Sequence, residues 1–517
     1  MQAIQPKTWK QDLPAFREKT AAFYAGELDK AAYKGFSGFY GSYAQKGGKA
    51  GMLRLRMTAG RVTQEKLAFT AGAIRKYRVP RAHFTTCQTI QLHDLDGETI
   101  CAIMEEALDA GIVTIGGGGD YPRNVMCPPL AGVEAGEYFN VLPWAEAAGE
   151  YLMTLVKAEK MPRKLKVCFS SSPANVTHAT YRDLGFAARP DGLFDVYSAG
   201  GLGNNPRFGV KVAEAVEPRK ILYYIKAMWL TFRAYGNYEN RGKARTRYMQ
   251  ESCGGPEAYV KAYQEKLNNV FASGEDLDIT ALEAAADRAG DGSSAPESPR
   301  VIRQKQPGLY AVAWHPIGGQ PDLEVLCALS DALADMEGAE LRLSPDETAY
   351  IVNLTGAQAK AVLDLTAADS ARSLFETSVS CIGGTTCQVG VRDSQGLLSA
   401  CVAAVREAGL PDGALPQIHI SGCPSSCGTH QTGLIGFRGA SKLVDGKPQA
   451  AFTLFVGGDS RQGREAMGRE LGVILAERIP AFLVELGQAA AASGKGFAAW
   501  MEAEPQGLEK IAGSYLA

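Results

Sequence analysis

No run in this 517-residue chain approaches the roughly 18 consecutive apolar residues that span a membrane. The N-terminal MQAIQPKTWKQDLPAF also lacks the apolar core of a secretory signal. A cytoplasmic protein without membrane insertion is expected. Charge of one sign is missing too: 54 Lys and Arg stand against 56 Asp and Glu, and a net charge of -2 excludes wholesale attraction to nucleic acid. Any basic surface must be local. Eleven cysteines, an odd number spread over so long a chain, exclude a small secreted disulfide scaffold. Cys101, Cys327 and Cys401 lie in apolar, helix-like stretches and read as core thiols.

The chain exceeds one hydrophobic core, which stops growing at roughly 250–300 residues, and it repeats itself. Residues 169–186, FSSSPANVTHATYRDLGF, lie over residues 420–437 without a gap when Pro173 is set on Pro424. Ser172 then meets Cys423, Val176 meets Cys427, and Gly185-Phe186 meets Gly436-Phe437. Farther on, YSAGGLGNN (197–205) parallels LFVGGDSRQ (454–462), with Gly200-Gly201 on Gly457-Gly458 after a six-residue insertion. Upstream of each copy, strand-like and helix-like patterns alternate at the spacing of small split βαβ units. The fold class is therefore α+β (mixed α/β), duplicated about a pseudo-twofold. The expected order is a helical arm at 1–45, a half unit at 46–115, an α/β domain at 116–271, a linker at 272–307, a second half unit at 308–372 and a second α/β domain at 373–517. A duplicated protein with one cofactor needs ligands in one copy only, which accounts for cysteines that the first copy lacks.

The paired thiols are Cys381 and Cys387 in SCIGGTTCQVG, and Cys423 and Cys427 in GCPSSCG. Four soft thiolates suit an iron-sulfur cluster. Structural zinc usually sits in short polar knuckles with closer spacing, unlike a C-x5-C pair inside a large α/β chain.

C-x5-C followed by C-x3-C within GCPSSCG resembles the nitrite and sulfite reductase family, which couples a [4Fe-4S] cluster to sirohaem. The resemblance runs from about Tyr40 to the last helices and implies two ferredoxin-like half units plus two sirohaem/[4Fe-4S]-type domains. By that resemblance Cys381, Cys387, Cys423 and Cys427 hold the cluster, and Cys427 bridges it to the sirohaem iron. The family's substrate-binding basic residues fall on Arg56 of MLRLRMTAGR, Arg123 of DYPRN, and Lys164 and Lys166 of PRKLK. Arg54, Arg61, Cys87, Gln88 and Asn124 are implied at the sirohaem, which bears eight carboxylates. One position departs from the pattern: TTCQT places Cys87 where the family has an arginine. Taken alone, RxR or KxK on a strand reads as a solvated sheet edge.

The resemblance implies six-electron reduction of a small oxyanion. Lys166, where nitrite reductases tend to carry Asn, favours sulfite; nitrite reduction to ammonia is the alternative. The Gly-rich TIGGGGD and GGLGNN do not show the G-x-G-x-x-G pattern that opens a helix, so electrons must come from a partner, a ferredoxin or a flavoprotein reductase. Two rivals stand beside these, a cluster protein that has lost sirohaem, motivated by Cys87, and a tetrapyrrole-modifying relative. His93 reads as a core histidine, and His178 and His430 as groups near the duplicated loops. The basic run 237–250 reads as a helix that touches cofactor, docks a donor or faces solvent.

Overall fold

The computed structural model describes residues 5–280, 282 and 288–517. The arm contains the helices Leu13–Tyr24 and Lys30–Ser37, the second begun by Asp29, whose carboxylate accepts from the Ala31 and Ala32 amides. It runs into strand Ser42–Ala44, the edge of a four-stranded antiparallel sheet completed in order by Gly51–Arg56, Thr89–Leu95 and Arg81–Phe84. Helices Gln64–Tyr77 and Gly97–Asp109 cover it. Thr63 and Asp96 cap them, and Leu67, Ala71 and Ile74 of one and Ile100, Ile103, Met104 and Ala107 of the other are buried at three-and-four spacing.

The second half unit repeats this plan with one exchange. Its sheet runs Val301–Arg303, Tyr310–Trp314, Ala349–Leu354, Glu340–Leu343 and then Arg61–Val62, a strand from the first half. Leu341 lies opposite Val62 and Arg342 opposite Arg61. One apolar core serves both half units, with Phe84 edge-on to Trp314 across the join. The segment expected as linker is structured toward its end, since Val301–Arg303 pairs with Tyr310–Trp314. Residues 281 and 283–287 of that segment lie outside the described residues.

The two larger units are also twins. One sheet is Val167–Ser170, Leu184–Ala188, Phe194–Ser198 and Val210–Val216; the other is Val379–Ser380, Ile418–Ser421, Ile435–Val444, Lys447–Val456 and Arg469–Leu475. The loop strand pairs parallel with its successor in each, and hairpins follow. Helices Ile221–Tyr235 and Ile479–Ala492 close the two copies at matching places. Asn175 and His178 adopt left-handed backbone in the first loop, as Ser426 and Thr429 do in the second.

The hairpin register corrects one reading. Leu184 lies opposite Ser198, fourteen residues on, while Ile435 lies opposite Val456, twenty-one residues on. The insertion is therefore seven residues rather than six, and Gly458 is the twin of Gly200. Left-handed Ala199 (φ 56°) then meets left-handed Gly457 (φ 81°). The extra residues lengthen the second hairpin toward solvent, where nothing in the sequence fixes their number. Among the described residues no helix is long and apolar enough to cross a membrane.

Candidate functional site

Between the half units and the two larger domains opens a cavity of about 1370 Å³. Ordinary small-ligand sites span roughly 300–1,000 Å³, so this one has room for a macrocycle. Arg54, Arg56, Cys87, Arg123, Asn124, Lys164 and Lys166 line one side, and Cys381, Cys387, Cys423 and Cys427 line the other.

The basic wall is built from local geometry. Arg54 and Arg56 alternate on one strand and so share a face. The Arg56 guanidinium is 5% exposed and donates to the carbonyls of Pro122 and Arg123, each at 3.1 Å. Arg54 and Arg123 both donate to the carbonyl of Gly117. A Cβ on Gly117 would lie 2.6 Å from the Thr114 carbonyl, so the four-glycine run is what lets the backbone come this close. Among the described residues no carboxylate pairs with Arg56 or Arg123. Burial first, then Arg123 and Arg54, pushes Arg56 down to about 9. Burial and Arg54 push Arg123 down to about 10. Cations crowded in this way are relieved by a bound anion.

Lys164 and Lys166 continue the wall. Burial, then Lys166 and Arg245, pushes the Lys164 ammonium well below its ordinary value. Lys166 is lowered by burial, with Cys87 acting in the opposite sense, and its Nζ lies 3.2 Å from Cys87 Sγ. The lysine that favours sulfite in the sequence is thus not a free cation. Beneath it, buried Asp183 accepts from the Lys166 amide at 2.8 Å, from Arg245 at 3.0 Å and from the Thr246 hydroxyl. Burial alone would raise the Asp183 carboxyl, but Arg245 and Thr246 outweigh it and hold it below the usual range. Its stabilisation is present above the unfolded carboxylate range and is lost as acid protonates it. Asp183→Asn, which leaves Arg245 unpaired, is expected to cost about 3–5 kcal/mol, read as a lowered melting temperature at neutral pH that narrows toward wild type in acid.

The opposite wall carries the thiols, all four unpaired. The Gly422 amide donates to Cys381 Sγ at 3.2 Å, and Ser394 Oγ lies 3.2 Å from the same sulfur. Thr86 Oγ1 donates to the Cys427 carbonyl at 2.9 Å, tying the thiol loop to the Cys87 turn. From the N-terminal side, Lys46 reaches the Gly384 carbonyl at 2.6 Å and Gln388 reaches the Ala44 carbonyl at 2.5 Å. Among the described residues no three His, Cys, Asp or Glu side chains gather as around one ion. A four-iron cube gives each thiolate its own iron, so its sulfurs stand apart. Four free thiols with an amide already aimed at one sulfur fit such a cluster, and the crowded cations fit a polyanionic macrocycle.

Two sequence candidates lie elsewhere. Arg61 pairs with Glu340 at 2.7 Å and Glu146 at 3.1 Å, at the strand exchanged between half units. Gln88 is fully buried and bonds the backbone of Cys127 and Leu343. Both hold the halves together rather than face the cavity. His93 lines the cavity, buried between Gln45 and Gln91, while His178 and His430 sit behind it, each against an aromatic ring. The basic run 237–250 is not one helix. It forms 3-10 turns at Arg241–Lys243 and Thr246–Tyr248 and a short helix from Met249. Arg241, Arg245 and Arg247 line the cavity, as does Arg182. Arg182 lies inside the duplicated stretch 169–186, but no motif marks it as a cavity residue.

Comparison with known proteins matches residues 43–110 to the nitrite/sulfite reductase ferredoxin-like half domain and residues 118–271 to the nitrite and sulphite reductase 4Fe-4S domain. The latter match falls on the copy without paired cysteines. Ferredoxin–nitrite reductase of Synechococcus elongatus is 27% identical over 80% of this chain and 82% of its own. Assimilatory ferredoxin-dependent nitrite reductase of Haloferax mediterranei is 26% identical over 97% and 92%. The solved structure of Mycobacterium tuberculosis NirA superposes with a TM-score of 0.76 at 23% identity, covering 94% of this chain and 93% of that one.

Proposed function

This chain belongs to the nitrite and sulphite reductase family, and from that premise we propose that it reduces nitrite to ammonia with electrons delivered by a ferredoxin. The observation that carries the reading is one cavity with uncompensated buried cations on one wall and four free thiols on the other. The Synechococcus and Haloferax relatives are nitrite reductases, and the sulfite reading rested on a lysine whose charge Cys87 already engages. Nitrite is therefore the better supported substrate, with sulfite as the alternative.

In this reading Cys381, Cys387, Cys423 and Cys427 hold the [4Fe-4S] cluster, and Arg54, Arg245 and Arg247 meet sirohaem carboxylates. When bound, the two cofactors supply the electron relay and the reducing metal centre. The protein's own residues do the rest. Arg56 and Arg123 hold the anion from a fixed backbone seat, so little reorganisation accompanies charge that develops on its oxygens. Lys164, whose ammonium is weakened by burial and like charge, is the group best able to give a proton to a departing oxygen near neutral pH. Both oxygens leave as water.

The test is steady-state turnover of holoenzyme with reduced ferredoxin, comparing nitrite and sulfite in the same preparation. A kcat/KM for nitrite at least tenfold above that for sulfite is expected. The reverse order would overturn the substrate, and a visible spectrum without tetrapyrrole bands would overturn the enzyme.

A further inference from the structure

Cys87 stands at the tip of the turn between strands Arg81–Phe84 and Thr89–Leu95, inside the basic wall. Among the described residues, the Lys166 ammonium has one hydrogen-bond partner, the Cys87 sulfur at 3.2 Å. The cavity's other acids are engaged elsewhere. Asp183 is held by Arg245, Asp120 by Arg163 and Arg241, Glu159 by Arg233, and Glu347 faces His83. With these carboxylates engaged, Cys87 is the acid that meets the Lys166 ammonium. The wall around it is built rather than open: Asn124, 5% exposed, donates to the carbonyls of Met57, Cys87 and Gln88 and leaves its Oδ1 buried with no partner.

The charges that face the thiol are Lys166, Arg182 and Lys164, with Arg123 beyond them. Burial alone would raise the thiol, but these cations and the Lys166 hydrogen bond outweigh it and bring it down to about 6. We propose that Cys87 is a positioning and specificity-determining residue: as a thiolate it fixes the Lys166 ammonium and cancels its charge, so the pocket favours singly charged nitrite over the more highly charged sulfite. This deepens the nitrite reading and rests on it. The physical basis is that removing one positive charge from a desolvated pocket weakens a doubly charged anion more than a singly charged one.

The experiment is a spectral titration of holoenzyme with nitrite and with sulfite, which reads binding rather than turnover. Cys87→Ser is expected to tighten sulfite relative to nitrite about tenfold, and Cys87→Asp, which restores the negative charge, to return the ratio toward wild type. An unchanged ratio in Cys87→Ser, or one that Cys87→Asp leaves shifted as Cys87→Ser does, overturns the proposal. If the Cys87 variants do not take up cofactor, Lys166→Met in the presence of native Cys87 decides. Without the ammonium beside it the buried Cys87 thiol keeps its proton, so the site stays neutral and a threefold or smaller change in the ratio of the two affinities is expected; a selective sulfite loss beyond threefold overturns the pairing. Turnover of wild type judges the nitrite reading separately, because the ratios among variants keep their meaning whichever anion is reduced.

Discussion

Cys427→Ser holoprotein is expected to be inactive, with nitrite turnover down by at least about a thousandfold and its cluster iron and acid-labile sulfide depleted. A serine oxygen is a poor ligand where iron needs a soft thiolate, and the loop offers no replacement, since the other free thiols of this wall are themselves assigned to the cluster. Position adds to the loss. The Cys427 carbonyl is held by Thr86, next to Cys87, so this one residue joins the thiol loop to the substrate wall. Iron and sulfide analysis with the visible spectrum checks the outcome. Full iron content with normal turnover would remove Cys427 from the ligand set.

Gly436→Ala is expected to be nearly as severe by a different route. A Cβ there would lie 1.9 Å from the His430 carbonyl, and the clash is with backbone that no rotamer change can relieve. Its twin Gly185 faces the Ala179 carbonyl at 1.8 Å. Forcing a methyl into such a contact costs about 3 kcal/mol or more, so either substitution should lower the melting temperature. The two separate in their second readout. Displacing His430 distorts the loop that carries Cys423 and Cys427, so Gly436→Ala should lose iron, whereas Gly185→Ala disturbs the loop that bears no cysteine and should lose far less. Equal iron loss in both would contradict the division of labour between the copies.

The duplication was legible because its markers are steric: glycines packed on carbonyls and left-handed turn residues recur wherever the loop recurs, whether or not it bears cysteine. Arg56, Arg123, Lys164 and Lys166, which line the cavity, were singled out through the family resemblance, since RxR and KxK taken alone read as a solvated sheet edge. Arg61 misled. It stands five residues after Arg56 in the same basic segment, but its partners Glu146 and Glu340 are remote in sequence, and only the folded chain shows that it joins two halves. Arg245 and Arg247 lie in a run whose charge left cofactor contact, donor docking and a solvated helix face all open, and the turns that direct them inward depend on Asp183 and the Asn204 carbonyl, contacts no local pattern announces. The hairpin register slipped by one because matching glycine pairs can be aligned either way until the strand partners are known.

The exchange of strand Arg61–Val62 into the other half's sheet bears on how such a protein can be divided. Expressed alone, a fragment covering 291–517 would present the bare edge of Glu340–Leu343, with Glu340 stripped of Arg61. An unpaired edge of that kind recruits other chains, so the fragment should aggregate unless its counterpart is made in the same cell. Co-produced, the first fragment supplies the strand that the second lacks, and the two should assemble into one particle; a chain descended from two copies would in that sense still behave as a pair of subunits whose covalent join is dispensable.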